Sequence, residues 1–242
     1  MGQGFWRILT SPFATNEHGR NRHKSRADEH SLVNIDPVAA ALGFAVLLIS
    51  LTIHEAAHAW TADKLGDPTA RTLGRVSLNP LVHIDWIGTV LLPLIAVFSR
   101  LPLIGWAKPV PVAMRNLRHP RRDFMIVAAA GPISNLLQAF VAAGLLRLLW
   151  NGSAEAGPGV LVTVLYFAVQ INLLLAFFNF IPVPPLDGGN VLAGILPYRL
   201  AATFNRVRPY GFILLYALIL TGGFAYLVVP PSRLILSWLS AQ

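Results

Sequence analysis

The sequence predicts an all-α membrane protein, a polytopic bundle of about four to five transmembrane helices with one re-entrant or broken segment. The first observation is composition: 55% of the 242 residues are hydrophobic and 12% are charged, about half the charged share of a soluble domain. The second is that the hydrophobic residues cluster in runs of roughly 20 residues, the length that crosses the hydrocarbon core of a bilayer. The third is that basic residues and turn formers separate these runs.

Four runs long enough to cross a bilayer follow one another along the chain. They occupy residues 37–62, 124–150, 160–180 and 210–229. A further apolar run, residues 84–104, is interrupted by two prolines and an arginine. Because such residues break a helix or are costly in lipid, we expect this run to be the re-entrant or broken segment and not to cross.

The polar composition of residues 1–33 sets them apart from the rest of the chain. They contain a basic cluster and no long apolar run, so we interpret them as a polar N-terminal tail. Residues 34–242 show no internal repeat and no soluble module, and we interpret them as a single membrane domain.

The basic residues and the lack of cysteine exclude several classes of function. A net charge of +8 is compatible with a nucleic-acid partner, but the basic residues lie in short segments between apolar runs and no nucleic-acid-binding motif is present. We therefore expect the lipid bilayer, and no nucleic acid, as a partner. Because the chain contains no cysteine, disulfides, thiolate metal sites and a cysteine nucleophile are excluded.

The strongest chemical signal is the sequence His-Glu-Ala-Ala-His at residues 54–58. On a helix, His54 and His58 lie one turn apart on the same face, so both imidazoles can bind one ion, and zinc is the expected metal. Glu55 is placed to act as a general base on a water molecule that the metal polarises. Residues 37–53 contain no charged side chain, so the motif lies at membrane depth, where ionisable groups mark functional sites.

A catalytic zinc ion needs a third protein ligand, which we predict to be Asp187. Residues 160–186 contain no charged side chain, and Asp187 then follows Ile-Pro-Val-Pro-Pro-Leu and precedes two glycines. The prolines stop a helix and force extended backbone, and the glycines permit a tight path. A short non-helical segment would then deliver one carboxylate into the protein interior. Asp85 and Asp63 are the alternatives if the third ligand lies elsewhere.

Amide side chains inside the apolar runs are further candidates for the site. We expect Asn179 and Asn135 to bind substrate, because an amide close to the metal can hold a carbonyl oxygen or a developing oxyanion. The alternative for these amides, and for Asn172, is hydrogen bonding between helices, which is common in membrane bundles.

Polar residues in the loops have structural interpretations. His83 and Asp85 are expected to order a loop, with contact to substrate as the alternative, and Asp63 and Asp67 are expected to be solvated. His119 lies among arginines and is expected at the surface.

This combination of motifs resembles the site-2 protease family of intramembrane zinc metalloproteases, in its compact form without a PDZ or CBS domain. The His-Glu-Ala-Ala-His motif and the downstream Asn179-Phe-Ile-Pro-Val-Pro-Pro-Leu-Asp187-Gly carry the resemblance, together with the stretches 74–80, 83–85, 105–112 and 130–135.

The resemblance implies zinc bound by His54, His58 and Asp187, with Glu55 as the general base and Asn179 holding substrate. It implies a zinc metalloendopeptidase that hydrolyses peptide bonds in or near transmembrane segments of membrane proteins, as in regulated intramembrane proteolysis. A membrane protein with a transmembrane helix is then the expected partner, and residues 34–242 are the protease domain.

The ligands can meet only if the end of the run 37–62 and the end of the run 160–180 lie on the same side of the membrane. This requires that residues 84–104 do not cross. The loops on that side then carry the larger share of the lysines and arginines, so the positive-inside rule predicts an active site that opens toward the cytoplasm. We expect an integral membrane protein of a prokaryotic cell membrane.

Two other functions compete with proteolysis. A metal transporter would also place histidines and carboxylates in the membrane, but it would line a path with sites at several depths. An inactive relative that acts as a binding scaffold would show a degraded motif, whereas Glu55 and the three proposed ligands are all present.

Overall fold

The computed structural model describes residues 36–91, Ile95, residues 108–149 and residues 159–240. The tail predicted at residues 1–33 and most of the interrupted run 84–104 lie outside the described residues. Within the described part of the chain every regular element is a helix, which confirms the predicted fold class.

Eight α-helices make up the described structure. In chain order they are α1 (Pro37–Lys64), α2 (Thr69–Thr72), α3 (Pro120–Leu149), α4 (Val160–Asn179), α5 (Asp187–Ile195), α6 (Tyr198–Asn205), α7 (Gly211–Leu220) and α8 (Gly223–Ser240). Single turns of 3₁₀-helix occur at Pro80–Val82, Met114–Asn116 and Arg208–Tyr210, and a π-helical turn occurs at Trp86–Leu91.

Three of these helices, α1, α3 and α4, are long and apolar enough to span a membrane, with mean hydropathies of 2.0, 1.7 and 2.2 in their most apolar windows. Helices α7 and α8 are long and apolar enough only together, as a pair bent by 68°, so the described residues contain three spans or at most four. The run predicted to span the membrane at residues 210–229 is not one continuous helix. The helix stops after Leu220 because Gly222 adopts a φ of +76°, a conformation that ends a helix.

Helix α1 carries the histidine motif, and local signals define both of its ends. The Asp36 carboxylate accepts a hydrogen bond from the Val38 N–H at 2.9 Å, and Pro37 occupies the first helical turn. Gly66 has a φ of +111°, which only glycine adopts without strain, and it turns the chain away from the helix axis. The motif therefore lies inside a continuous 28-residue helix.

Helices α1, α3 and α4 pack on one another and form the centre of the molecule. Alanines of α3, Ala139, Ala142 and Ala143, face Leu165 and Leu173 of α4 in one apolar cluster. Small side chains at a helix interface allow close backbone approach, which is how helices associate in lipid. Helix α5 packs against α3, and a Cβ at Gly194 would lie 2.5 Å from Met125.

The two ends of the interrupted run meet. The Lys108 N–H donates a hydrogen bond to the His83 carbonyl at 2.9 Å. A single crossing would separate these residues by the thickness of the bilayer core, about 30 Å. The contact therefore agrees with the prediction that residues 84–104 do not cross; residues 92–94 and 96–107 lie outside the described part of the chain.

Candidate metal and catalytic site

The two histidines of α1 are buried inside the helix bundle. His54 is 4% exposed and His58 is 8% exposed, and their rings meet edge to face with centroids 4.7 Å apart. Both point at α3, because His54 contacts Asn135 and His58 contacts Val127. Helices α1 and α3 therefore run antiparallel at this depth, and the same face of α1 presents both imidazoles.

Asp187 completes a compact group of three donors with the two histidines. The Nε2 atoms of His54 and His58 lie 3.1 Å apart, and the Asp187 Oδ2 lies 3.2 Å from the first and 3.3 Å from the second. Ligands of a tetrahedral zinc ion, bound at 2.0–2.1 Å, lie about 3.3 Å from one another. The three donor atoms thus form one face of such a tetrahedron, and the donor set of two imidazoles and one carboxylate suits zinc.

Gly131 of α3 leaves the space in front of these donors open. A Cβ at this position would lie 2.4 Å from the His58 Nε2 and 2.6 Å from the His54 Nε2. Any larger side chain would therefore occupy the volume toward which both imidazole nitrogens point. The glycine is required here for close approach and not for an unusual backbone conformation.

The remaining ring nitrogen of each histidine has a buried partner. The His58 Nδ1 lies 2.7 Å from the Val127 carbonyl, which can only accept, so this nitrogen carries the proton. The His54 Nδ1 lies 2.6 Å from the Asn135 Oδ1. Such outer partners hold the ring orientation and leave the Nε2 lone pair directed at the metal.

A chain of amides sets the direction of the His54 hydrogen bond. The Asn172 Nδ2 donates to the Ala168 carbonyl and to the Ser50 hydroxyl, each at 2.9 Å. The Asn172 Oδ1 must then face Asn135, whose Nδ2 donates to it at 2.7 Å. Consequently the Asn135 Oδ1 faces His54 and accepts its Nδ1–H. We call His54, Asn135, Asn172 and Ser50 the amide chain; all four are nearly or fully buried.

The segment before Asp187 brings its carboxylate to the histidines. Helix α4 ends at Asn179, residues 180–186 are irregular, and Asp187 is the first residue of α5. Asp187 thus follows the irregular segment directly, and the N-terminus of α5 favours a negative charge there. Gly188 packs against the Phe180 backbone, where a Cβ would approach the carbonyl oxygen to 2.3 Å.

Glu55 lies on a different side of α1 from the histidines. Its Oε2 accepts a hydrogen bond from the Val110 N–H at 3.3 Å. Val110 stands between Pro109 and Pro111, which have no N–H. The loop after the interrupted run therefore reaches the carboxylate that we expect to act as the base.

Asn135 and Asn179, both expected to bind substrate, lie in different surroundings. Asn135 is 0% exposed and both ends of its amide are engaged by His54 and Asn172, which agrees with the alternative of hydrogen bonding between helices, and its role in substrate binding stays a prediction. Asn179 is half-buried at the end of α4, and its Nδ2 donates to the Leu175 carbonyl at 3.0 Å. Its role in substrate binding stays a prediction.

The loop residues are more ordered than their composition suggested. Asp67 was expected to be solvated, but it is 0% exposed; burial opposes its ionisation, and hydrogen bonds from Thr69, Asn116 and Ala113 outweigh this and lower the pKa of the carboxyl. His83 is 2% exposed and contacts the Ser77 carbonyl. Asp85 accepts two backbone N–H groups that follow it, as expected of a loop-ordering residue.

Sequence reasoning missed several residues that the fold brings to the site. Gly131, Ser50, Val110 and the Val127 carbonyl carry no chemical signal, because glycine, serine and backbone groups occur throughout apolar helices. A glycine in the same short stretch as Asn135 was the one local hint of a close approach.

Comparison with known proteins agrees with this geometry. The model of peptidase family M50 matches residues 150–222, which include α4, the irregular segment and Asp187. YwhC of Bacillus subtilis (strain 168), named as a candidate zinc metalloprotease, is 38% identical over 187 residues, 76% of this chain and 82% of the relative.

More distant relatives carry names of the same kind. Rip2 of Mycolicibacterium smegmatis is 29% identical over 175 residues, 72% of this chain and 64% of the relative. MJ0611 of Methanocaldococcus jannaschii is 41% identical over 66 residues, 27% of this chain and 31% of the relative. No solved structure matches the chain.

The similarity to YwhC extends over most of both chains, and the group of two histidines and one aspartate lies among helices apolar enough to span a membrane. The chain therefore belongs to peptidase family M50, the site-2 protease family, and is a membrane-integrated zinc metalloprotease.

Proposed function

We propose that the protein hydrolyses peptide bonds in or near the transmembrane segments of other membrane proteins. In this proposal His54, His58 and Asp187 hold the zinc ion and Glu55 is the general base. The observation that carries the proposal is the triangle of donor atoms, with sides of 3.1–3.3 Å, inside helices long enough to span a bilayer.

The depth of the site supports a membrane-embedded substrate. His58 lies six residues before the end of α1, which corresponds to about 9 Å of helix. The site is therefore inside the bundle, near the end from which the loop of Val110 approaches. A substrate bond that reaches it must lie in a membrane segment or close to its end.

The chemistry follows from the donors and from Glu55. A bound zinc ion would polarise both a water molecule and the scissile carbonyl. Glu55 takes a proton from the water as its oxygen bonds to the carbonyl carbon, and it delivers that proton to the amine nitrogen as the C–N bond breaks. The amide chain and the Val127 carbonyl keep both imidazoles oriented throughout.

The substrate must expose its backbone before it is cut. Carbonyls of an intact helix are engaged in hydrogen bonds, so the substrate helix has to unwind locally, which glycine and proline in the substrate favour. We retain Asn179 as the side chain that holds the unwound backbone. It lies at the end of α4, eight residues before Asp187.

We further propose that the site opens toward the cytoplasm of a prokaryotic cell. The loops that follow α1, precede α3 and follow α5 carry most of the described lysines and arginines, which favours a cytoplasmic location for them. The relatives with similar sequences come from bacteria and an archaeon. Residues 34–242 then act as one protease domain.

The arrangement of potential ligands favours proteolysis over metal transport. Among the described residues, His54, His58 and Asp187 form one group of three metal-capable side chains, and no second group at another depth accompanies it. A transport path would need several such groups.

The first test measures zinc content and cleavage in the same preparations. The native protein in detergent is expected to hold about one zinc per chain and to cut a quenched fluorescent peptide whose apolar segment contains Gly-Pro. Glu55→Gln should keep the zinc and lower cleavage by about 10²–10⁴-fold, because the base is lost and the ligands remain.

The ligand variants complete the test. His58→Ala and Asp187→Ala should each lose the zinc and the cleavage together. Zinc retained without Asp187 would move the third ligand to another carboxylate, and cleavage retained in Glu55→Gln would contradict the assigned base.

A further inference from the structure

The loop that reaches Glu55 is also attached to the C-terminal end of α1, the helix that carries Glu55. We call residues 108–118 the strap. It begins where the Lys108 N–H binds the His83 carbonyl at 2.9 Å, and near its end the Arg118 N–H donates to the Leu65 carbonyl at 3.2 Å. Between these points the strap follows the last third of α1.

Asp67 makes the most extensive contact with the strap. Its Oδ2 accepts the Ala113 N–H at 2.6 Å, and its Oδ1 accepts the Asn116 Nδ2 at 2.9 Å. The Oδ1 also accepts from the N–H and the hydroxyl of Thr69. Two donors from Thr69 and two from the strap, 46 and 49 residues from Asp67 in sequence, thus converge on one carboxylate that is fully buried.

The Asp67 carboxylate is well supplied with hydrogen-bond donors. Its Oδ1 accepts from three neutral donors and its Oδ2 from one, in a group that offers about four lone-pair positions. A buried charge that is satisfied in this way is costly to disturb, because loss of its partners leaves it desolvated and unpaired. The arrangement is suited to holding the strap at a defined position.

The position of the strap determines where the Val110 N–H lies. Val110 is three residues from Ala113, and it is flanked by Pro109 and Pro111, which restrict the backbone and supply no donor. Within residues 109–111 only Val110 has a backbone N–H to donate, and it donates to the Glu55 Oε2 at 3.3 Å. Movement of the anchor at Ala113 would be transmitted to this contact through a short, stiff segment.

We infer that Asp67 is a positioning residue for peptide hydrolysis: it anchors the strap to the end of α1 and through the strap holds the Val110 N–H against Glu55. This inference rests on the proposed function, in which Glu55 is the base. Asp67 lies outside the metal site and twelve residues after Glu55 in the chain, and its role here is to help orient that base.

The first experiment compares Asp67→Asn with Asp63→Asn in the full-length protein. Asparagine keeps the shape of the side chain but replaces one acceptor by a donor. Asp63 lies four residues before Asp67 and pairs with Arg71, outside the strap, so it is the matched control. We measure zinc per chain, hydrogen exchange of peptides from residues 108–118, and kcat and KM on the Gly-Pro fluorescent peptide.

Asp67→Asn should expose the strap to faster exchange and lower kcat by about tenfold or more, with KM and zinc content close to the native values. Asp63→Asn should leave all four quantities nearly unchanged. Asn116→Ala serves as a second variant if Asp67→Asn fails to fold. It removes one strap donor and leaves Asp67 in place, so it should produce a smaller effect in the same direction.

A cross-link provides the decisive arm. The Asn116 Nδ2 and the Thr69 Oγ1 lie 3.4 Å apart, and the chain has no other cysteine. In the Asp67→Asn background, cysteines at these two positions joined by a disulfide or a short dithiol reagent should restore kcat, and reduction should abolish the recovery. The same pair in the native background shows the effect of the cysteines alone.

The outcomes separate this inference from the proposed function. If the native protein fails to cleave while its zinc is bound, the proposed function fails, and with it the catalytic role of the strap. If the native protein cleaves and Asp67→Asn loosens the strap without lowering kcat, or if the cross-linked variant stays inactive, the positioning role is overturned. A strap that exchanges at the native rate in Asp67→Asn would overturn the anchor itself.

Discussion

Helix α1 is held differently on the two sides of its motif. The histidine side packs against α3, where His54 and His58 have buried partners at 2.6 and 2.7 Å. The glutamate side faces the strap, where Glu55 has one backbone donor at 3.3 Å. The difference matches the two tasks: a metal ligand must keep one orientation, whereas a group that moves a proton has to exchange its partner during the reaction.

The contacts on the two sides of α1 also come from different parts of the fold. Partners of the histidines come from the transmembrane helix α3, which packs on α4 through small side chains in the centre of the molecule. The partner of Glu55 comes from a loop that Asp67 attaches just beyond the end of α1. Variants on the histidine side should therefore change zinc binding, and variants on the strap side should change the rate with zinc in place.

The largest effect should come from closing the space in front of the histidines. Gly131→Ala would place a Cβ 2.4 Å from the His58 Nε2, so we expect zinc to be lost and cleavage with it. Gly144→Ala on the same helix is the matched control, because a Cβ there meets nothing within 4 Å. Zinc analysis of both purified variants tests this, and a Gly131→Ala protein with full zinc occupancy would contradict the proposed position of the metal.

A smaller loss is expected from removing the partner of His54. Asn135→Leu keeps the volume but leaves the His54 Nδ1–H without an acceptor, so zinc affinity should fall by about 10–100-fold. Gln138→Leu is the control, since it removes an amide one turn away whose Nε2 has no hydrogen-bond partner among the described residues. Competition with a calibrated chelator measures the zinc affinity of each variant. Equal zinc affinities for Asn135→Leu and Gln138→Leu would contradict the distinction between the two sides of α1.

The smallest effect should appear at the far end of the amide chain. Ser50→Ala removes one acceptor of the Asn172 Nδ2, but the Ala168 carbonyl still accepts from the same atom at 2.9 Å. The direction of the amide chain is then preserved, and zinc affinity should change by less than about tenfold. A loss as large as that of Asn135→Leu would mean that Ser50 sets the direction of the chain.

Much of the architecture was predictable from local pattern. The three spanning helices begin and end within about four residues of the predicted runs, because twenty or more apolar residues have few alternatives to a helix in lipid. The turn at Gly222 was missed, since the residues on both sides are apolar and a single glycine inside such a run does not reveal whether the helix continues.

The residues of the site were predictable in part. His54, Glu55 and His58 form a local motif, and their spacing on a helix predicts how they are arranged. Asp187 was predictable because it is a single charged residue that follows a long uncharged stretch and a proline-rich break. The orientation of Asn135 and the burial of Asp67 were not predictable. An amide in an apolar helix has several possible partners, and an aspartate after a helix is usually solvated.

The sequence by itself determined the class of protein, the motif on α1 and the family to which the chain belongs, because these depend on composition and on spacings within a few helical turns. Only the tertiary structure decided which atoms meet across the bundle: the triangle with Asp187, the space kept open by Gly131, the amide chain and the anchor at Asp67. Each of these joins residues 37 or more positions apart, and such contacts are set by how the helices pack rather than by the pattern within any one helix.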